Sequence, residues 1–429
     1  MRHLPWSTRS RAASRRTGSL MPALALALLA VLGGAALVVD RLALDTAKAE
    51  LRTAAEAAAL AAARELANDD RLRPDFDPVA LQMKARFAAA RIAVENFIAT
   101  EPLTLSTESN GDVRCGRLLI DPETGETIFV EAEGKDEPTT VVVQARRTSD
   151  RDSAIPLPFR TLYAPTDADV VAVAEASINF GVIGLRPVDD LSIPTLPLAI
   201  LAKSVGEQES SSEKSPAPHG SSSTFRSIKP RRPSVASWSR DIEQRRGLDR
   251  FGYDAATGEV TNASDGIPEI TLRTAVRSGD SVANAFVLAL TGDVTQDVLR
   301  RQICDGWSTD DLQPLGGELL FDRGPLTLAG LRGVNCNALV SPLRNVLGQC
   351  RVVFLYDREV GDTRASVASL HINRMVAGRV MSVRELSDCE CEIVFQPAVM
   401  ATRSAVTSSE EAEPGYEKNK YVANLRLTN

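Results

Sequence analysis

An uncharged segment near the N-terminus passes directly into an alanine-rich one. From Leu20 to Val39 no side chain is charged, and about 20 helical residues at roughly 1.5 Å each cross a hydrocarbon core about 30 Å thick. Residues 40–68 alternate alanines with charged side chains and contain no glycine or proline. The pattern predicts one helix from about Pro22 to Ala67, whose first half spans a bilayer.

Beyond this helix, the spacing of apolar positions indicates first a helix and then strands. Strand-like segments follow residue 110 and end near Ile178, and a sheet of this kind needs a covering helix. Residues 78–98 supply it, because their larger apolar residues recur at spacings of three and four. The face predicted to cover the sheet consists of Val79, Met83, Phe87, Ala90, Val94 and Phe97.

A serine- and proline-rich stretch separates this region from a second one that mixes strands with helix candidates near 293–303 and 336–347. The fold class is therefore predicted to be α+β. The C-terminal residues are polar, and we expect them to be loose. The predicted organisation is a leader at 1–19, a transmembrane helix at 20–39, its alanine-rich extension at 40–68, an α+β domain at 69–202, a linker at 203–240, a second α+β domain at 241–400 and a polar tail at 401–429.

The charge distribution predicts the orientation of the span. Residues 1–19 hold five arginines and no acidic residue, which places the leader in the cytoplasm and the rest of the chain in the periplasm or outside the cell. The prediction is a single-pass inner-membrane protein. A cleavable signal peptide is the alternative, but the apolar run is longer than the usual 7–15 residues of such a peptide. The net charge of −7 argues against nucleic acid as a partner.

Small residues recur every four positions inside the predicted span. Ala23 with Ala27, and Ala30 with Gly34, would let another membrane helix approach closely. The alternative is that alanine only fills the helix. Membrane lipid is the other partner expected for this segment.

Six cysteines in an exported chain indicate disulfides, and Cys115 stands apart from the other five. Cys389 and Cys391 would point to one face of a strand, which suits two separate bridges or a metal, but no histidine lies nearby in the sequence. With five cysteines in one domain, at least one stays free or pairs outside it. Buried thiols remain the alternative. The possible disulfide cysteines are Cys304, Cys336, Cys350, Cys389 and Cys391.

Catalytic motifs are lacking in the sequence. His371 is the only histidine in a predicted element, and a hydrogen-bonded sheet histidine explains it better than a general base. Acidic pairs such as Asp310 with Asp311 fall at expected helix starts. We expect no enzyme activity, no cofactor, no metal and no small-molecule substrate.

The N-terminal residues resemble a known family. The basic leader, "RTGSLMPALALALLAVLGGAALVVD" and "LRTAAEAAALAAAREL" are similar to the start of the TadE/TadG-like Flp pilus-assembly proteins of bacterial tight-adherence (Tad) systems. The segment "VVVQARRTSDRDSAIPLPFRTLYAPTDADVVAVAEASI" resembles that family's strand, short helix and strand. "DGIPEITL", "QICDGWSTDDLQPLGGELLF", "LGQCRVVFLYDREVG" and "CEIVFQPAV" resemble the second half of longer TadG-like chains. The long helix with antiparallel strands behind it is also a pilin-like arrangement.

Two departures limit what the resemblance implies. Gly18 matches the glycine before a prepilin cut, but Ala23 stands where these proteins carry glutamate, so prepilin-type processing is not implied. The DxSxS metal motif of some TadG proteins is absent, since "DLSIP" at 190–194 lacks the second serine.

The resemblance implies a membrane-anchored, non-enzymatic component of Tad/Flp-type pilus assembly or secretion that acts through contacts with other pilus-assembly or pseudopilin-like proteins. The alternative is a membrane-tethered binding module for a wall or surface ligand.

Overall fold

A computed structural model describes most of the chain. The described residues are 20–159, 167–189, 191–203, 235–275, 283–290, 294–322, 324–360, 366–408 and 418–428. The predicted leader with Gly18 and most of the predicted linker lie outside them.

The N-terminal half is built on one long helix. α1 runs without interruption over Leu20–Leu66, as the absence of glycine and proline after residue 40 predicts. It is long and apolar enough to cross a membrane. Its first half is exposed apart from Ala36 and Asp40, and its second half is buried along one face.

A second helix, α2 at Pro78–Val94, packs against the alanine-rich half of α1. The predicted helix is present, but the predicted face is wrong, because Met83 and Phe87 are exposed. Alanines fill the interface from both sides and bring the two backbones close together, so larger side chains do not fit there. The alanine-rich half of α1 also lies against β5 and β8. The buried alanines of the two helices include Ala54, Ala55, Ala58, Ala59, Ala62 and Ala63 of α1 and Ala85, Ala88, Ala89 and Ala93 of α2.

Within the described residues, nine strands follow before the chain enters its second half, and two of them, β5 and β8, lie directly against α1. Their bounds are β1 Phe97–Ile98, β2 Glu101–Pro102, β3 Val113–Ile120, β4 Thr127–Glu131, β5 Thr140–Arg147, β6 Ile155–Pro156, β7 Asp167–Ala168, β8 Val170–Asn179 and β9 Val182–Leu185.

The second half, over the part of it that the structure describes, forms thirteen further strands and three α-helices. The helices are α3 Gln296–Asp305, α4 Thr309–Leu312 and α5 Cys336–Asn345. The strands are β10 Thr195–Leu201, β11 Gly252–Asp254, β12 Glu259–Thr261, β13 Ile270–Arg273, β14 Ala285–Ala289, β15 Leu319–Leu320, β16 Leu326–Leu331, β17 Cys350–Val360, β18 Val367–Ser387, β19 Glu390–Pro397, β20 Met400–Ala401, β21 Ala405–Thr407 and β22 Val422–Leu427.

The first large sheet has the order β20-β22-β8-β5-β3-β4. Its core is formed with α1 and α2. Strand β22 pairs antiparallel with β8, and Val422 and Ala423 are fully buried. The prediction that residues 401–429 form a loose tail is therefore wrong for the described residues 401–408 and 418–428. The polar composition of this segment hid a short apolar strand that fills the edge beside β8.

The second sheet has the order β13-β19-β18-β16-β14-β10-β17, and β17 also pairs with β18. This pairing closes β18, β16, β14, β10 and β17 into a small barrel. Strand β10 belongs to it, although the sequence assigned residues 195–201 to the first domain. In the hydrophobic core of this half, Trp307 stacks on Phe354 with ring centroids 5.0 Å apart. Aromatic pairs of this kind stabilise the fold beyond the effect of the area that they bury.

A buried ion pair joins the two halves. Asp69, just after α1, pairs with Arg379 of β18 and accepts a hydrogen bond from the Val399 backbone at 2.7 Å. The guanidinium of Arg379 also lies over the Tyr253 ring, 3.9 Å from its centroid. Burial raises the pKa of the Asp69 carboxyl. The hydrogen bonds from Arg379 and from the Val399 backbone, both in the second half of the chain, offset part of the cost of removing this carboxylate from water.

Candidate functional site

The predicted small-residue face of the span lies on the free part of α1. Ala23, Ala27, Ala30 and Gly34 are all exposed. A methyl group added at Gly34 would meet no atom within 4 Å. Within the described residues, this surface is therefore open to lipid or to another helix.

The apolar stripe of α2 is a second open surface, formed by Val79, Met83, Phe87 and Val94. Met83 is 51% and Phe87 57% exposed. The start of the helix is fixed by Asp77, whose carboxylate accepts the Val79 N–H at 2.9 Å. Four larger apolar side chains in a row along one helix, facing away from its core, are typical of a protein-contact surface.

Sequence reasoning found the residues of this stripe but assigned them to the core. A signal for the correct face was present, because Ala85, Ala89 and Ala93 recur every four residues. A row of alanines opposite an alanine-rich helix favours close packing of the two helices. The larger side chains of the apolar stripe do not fit into such a narrow interface.

The structure also forms a basic cleft between the two halves, which sequence reasoning missed. Its volume is about 1080 Å³. Its walls include residues 71–73, which follow α1, part of strand β18 and the segment that leads into β22. Because these residues are far apart in sequence, no local pattern points to the cleft. Its charged lining consists of Arg71, Arg73, Lys203, Arg245, Arg374, Lys418 and Lys420 with Glu243 and Asp357.

Part of this positive charge is neutralised. Arg71 pairs with Glu137 at 2.8 Å and Arg374 with Glu243 at 2.6 Å. Lys203, Lys418 and Lys420 are exposed, and no carboxylate pairs with them among the described residues. The cleft therefore keeps an excess of positive charge in a chain whose net charge is −7.

The Arg245 side chain binds two backbone carbonyls at the cleft. Its guanidinium donates to the Leu72 carbonyl at 2.8 Å and to the Gly266 carbonyl at 2.6 Å. Its backbone has a φ of 55°, a conformation that costs free energy in a residue with a side chain. The charge of this residue is thus held in place at the cleft by both halves of the chain.

A second buried carboxylate has a structural role in the first sheet. Asp112 accepts hydrogen bonds from Arg151 at 2.6 Å, from the Ser106 backbone at 2.9 Å and from Arg146 at 2.7 Å. Burial alone would raise its pKa, but these hydrogen bonds outweigh burial, and the pKa of Asp112 lies below its ordinary value. It ties β3 and β5 to the loop after β5.

One disulfide joins two of the predicted cysteines. Cys336 at the start of α5 is bonded to Cys391 of β19. Cys304, Cys350 and Cys389 are half-buried free thiols. Burial raises the pKa of the Cys350 thiol to about 12. Cys389 lies in the turn before β19, so it does not share a strand face with Cys391.

His371 lies on β18 and is half-buried. Its Nδ1 is 2.8 Å from Asp357 Oδ1, and its register partners are Thr327 on β16 and Arg358 on β17. The ring is thus held by a carboxylate inside a sheet. Among the described residues, no three His, Cys, Asp or Glu side chains converge in a group that could hold a metal ion.

Comparison with known proteins gives a match for α1, the helix that carries the exposed small residues. Residues 18–65 match the family model described as "Putative Flp pilus-assembly TadE/G-like". The match covers nearly all of α1 and confirms the resemblance that these residues indicated. No curated protein and no solved structure matches the chain.

Proposed function

We propose that this chain is a non-enzymatic component of Tad/Flp-type pilus assembly or secretion, anchored in the inner membrane by α1, with its folded domains in the periplasm or outside the cell. The family match to residues 18–65 supports the pilus-assembly role. The observation that carries the mode of action is the exposed apolar stripe of α2, since it lies on the same helical unit as the family segment.

The stripe suits a helix of another pilus-assembly or pseudopilin-like protein. A partner with a matching apolar face would bury Met83 and Phe87 in the way helix-in-groove contacts do. Fully burying one such side chain contributes about 1.5–3 kcal/mol. The open face of Ala23, Ala27, Ala30 and Gly34 would accept a partner's membrane helix at the same time.

Site-specific photo-crosslinking tests this proposal. A photoreactive phenylalanine analogue replaces Phe87 in the full-length chain, in cells that assemble the pilus. The expected product is an adduct with a Tad pilus component. The matched control position is Val171 on β8, which is 50% exposed and lies on a different surface.

Substitution gives a second readout. Phe87→Glu should reduce pilus assembly, while Val171→Glu should leave it unchanged, because both add the same charge at similar exposure. Equal effects of the two variants, or adducts at Phe87 that contain no Tad component, would contradict the proposed contact.

The basic cleft favours a second candidate function, a membrane-tethered binding module for an anionic wall or surface ligand. The exposed lysines Lys418 and Lys420 would then contact the ligand's negative groups. Binding of a fluorescent uronic-acid oligomer to the full-length protein tests this candidate. Lys418→Glu with Lys420→Glu should abolish binding, and Arg300→Glu, an exposed change on α3 outside the lining of the cleft, should not. Binding insensitive to both would exclude the cleft.

A further inference from the structure

The folded domain contacts α1 where the uncharged segment ends. Asp40 is the first charged residue after that segment, yet it is only 5% exposed. Its carboxylate accepts the backbone N–H of Phe159 at 3.1 Å, across 119 positions of the chain. The hairpin of β6 and β7 is therefore fixed to the end of the span.

The covered face extends one turn farther into the span. Ala36 is only 7% exposed, whereas the residues that follow it, Leu37 and Val38, are mostly exposed. Ala36 and Asp40 are four residues apart and so share one helix face. The same face continues into the domain core at Ala47 and Leu51.

The length of the uncharged segment fixes the depth of this contact. Leu20 to Val39 is about 30 Å of helix, as long as the hydrocarbon core is thick, so the helix cannot shift far without exposing apolar side chains to water. Asp40 then lies at the membrane boundary, and Ala36 about 6 Å deeper.

Residues 155–159, "IPLPF", suit an apolar environment. They carry no charge, and Pro156 and Pro158 have no backbone N–H. The N–H of Phe159 is bonded to Asp40. Strand pairing of Ile155 with Ala168 places the segment in a hairpin. Few unpaired donors remain in this segment, which matters because an unpaired donor is costly near lipid.

We infer that Pro158 and Phe159 lie in the lipid–water interface and that the side chain of Phe159, 40% exposed, contacts lipid acyl chains there. This inference rests on the proposed membrane anchoring. The proposed partner is the apolar part of the bilayer, because residues 155–159 carry no charged side chain. The first domain then sits directly on the membrane instead of being held above it by a bare helix.

Tryptophan fluorescence in vesicles tests the inference on the full-length protein. The background is Trp6→Phe, in which the remaining Trp238 and Trp307 are fully buried. Phe159→Trp is compared with Phe87→Trp in phosphatidylcholine vesicles that contain lipids brominated on their acyl chains. Phe87 lies on α2 beyond the level of Glu50, which contacts the Ala99 backbone and is about 15 Å past Asp40 along α1.

We expect brominated lipid to quench the new tryptophan at 159 at least twofold and aqueous iodide to leave it unaffected, with the reverse result at 87. A photoreactive phenylalanine analogue at 159 should give adducts with lipid, which provides a readout if the tryptophan variant misfolds. Quenching at 159 by iodide alone, together with no lipid adduct, would overturn the inference.

Carbonate extraction separates this inference from the proposed anchoring. If the protein stays in the membrane after carbonate but position 159 is open to iodide, only the contact of the hairpin with lipid fails. If carbonate releases the protein, the anchoring fails, and the inference fails with it.

Discussion

The packing of α2 against α1 leads to a pair of substitutions with opposite expected effects. Ala89 faces α1 and is fully buried, whereas Phe87 faces away from it. In the face predicted from the hydrophobic spacing, Phe87 would be the core residue and Ala89 would lie outside it. Phe87→Ala and Ala89→Leu therefore distinguish the two arrangements directly.

The magnitudes follow from burial. Phe87→Ala would cost about 3–5 kcal/mol if the ring were in the core, but at 57% exposure we expect a change within about 0.5 kcal/mol. Ala89→Leu adds three carbons to an interface in which the facing alanines are closed off from solvent. Overpacking of this kind costs about 1–3 kcal/mol.

Hydrogen exchange measured by mass spectrometry on the full-length protein in detergent is the assay. Peptides that cover Pro78–Val94 report the local opening of α2. Ala89→Leu should speed their exchange by about 5- to 150-fold, and Phe87→Ala should leave it nearly unchanged. Faster exchange in Phe87→Ala with no effect of Ala89→Leu would refute the alanine interface.

Three further predictions concern ties within the fold. Replacing Cys336 and Cys391 by serine removes a cross-link between residues separated by 55 positions and should lower the free energy of unfolding by about 4 kcal/mol. The denaturation midpoint of this variant should not change when a reductant is added. The pKa of Asp112 in the folded protein is lowered from 3.8. Its contribution to stability is therefore present at pH values above its unfolded-state pKa and is lost as the pH falls below about 4. Asp112→Asn should flatten the curve of stability against pH in that acidic range. Asp69→Asn leaves Arg379 buried without its charge partner and should lower the free energy of unfolding, measured by thermal unfolding, by about 3–5 kcal/mol. Adding Arg379→Met to this variant should restore part of the lost stability. No recovery in the double variant would contradict a charge effect.

The sequence determines some of these features locally and others only through the fold. α1 was predictable because twenty uncharged residues followed by many alanines favour a helix over other structures. The face of α2 was not, because periodicity shows that two faces differ and does not show which one meets the partner. Alanine counts as weakly apolar on its own, but it becomes the better core residue when the partner helix is also alanine-rich.

The cleft and the returning C-terminal strand were out of reach for the same reason. Lys203 and Lys420 meet at one cleft through the pairing of β10 with β14 and β17 and of β22 with β8. No short-range signal encodes a contact across some two hundred positions.

The path of the chain gives the two halves a shared dependence. It builds α1, α2 and most of the first sheet, leaves at β10 to form the barrel, and returns so that β22 completes the sheet beside β8. Because this last strand also lies close to α1, the helix against which α2 packs is supported by a sheet that is complete only when the whole chain has folded. The Asp69–Arg379 pair acts at the same junction. β22 and this ion pair are therefore two of the connections through which a load on the second half would reach the helix that is proposed to hold the protein in the membrane.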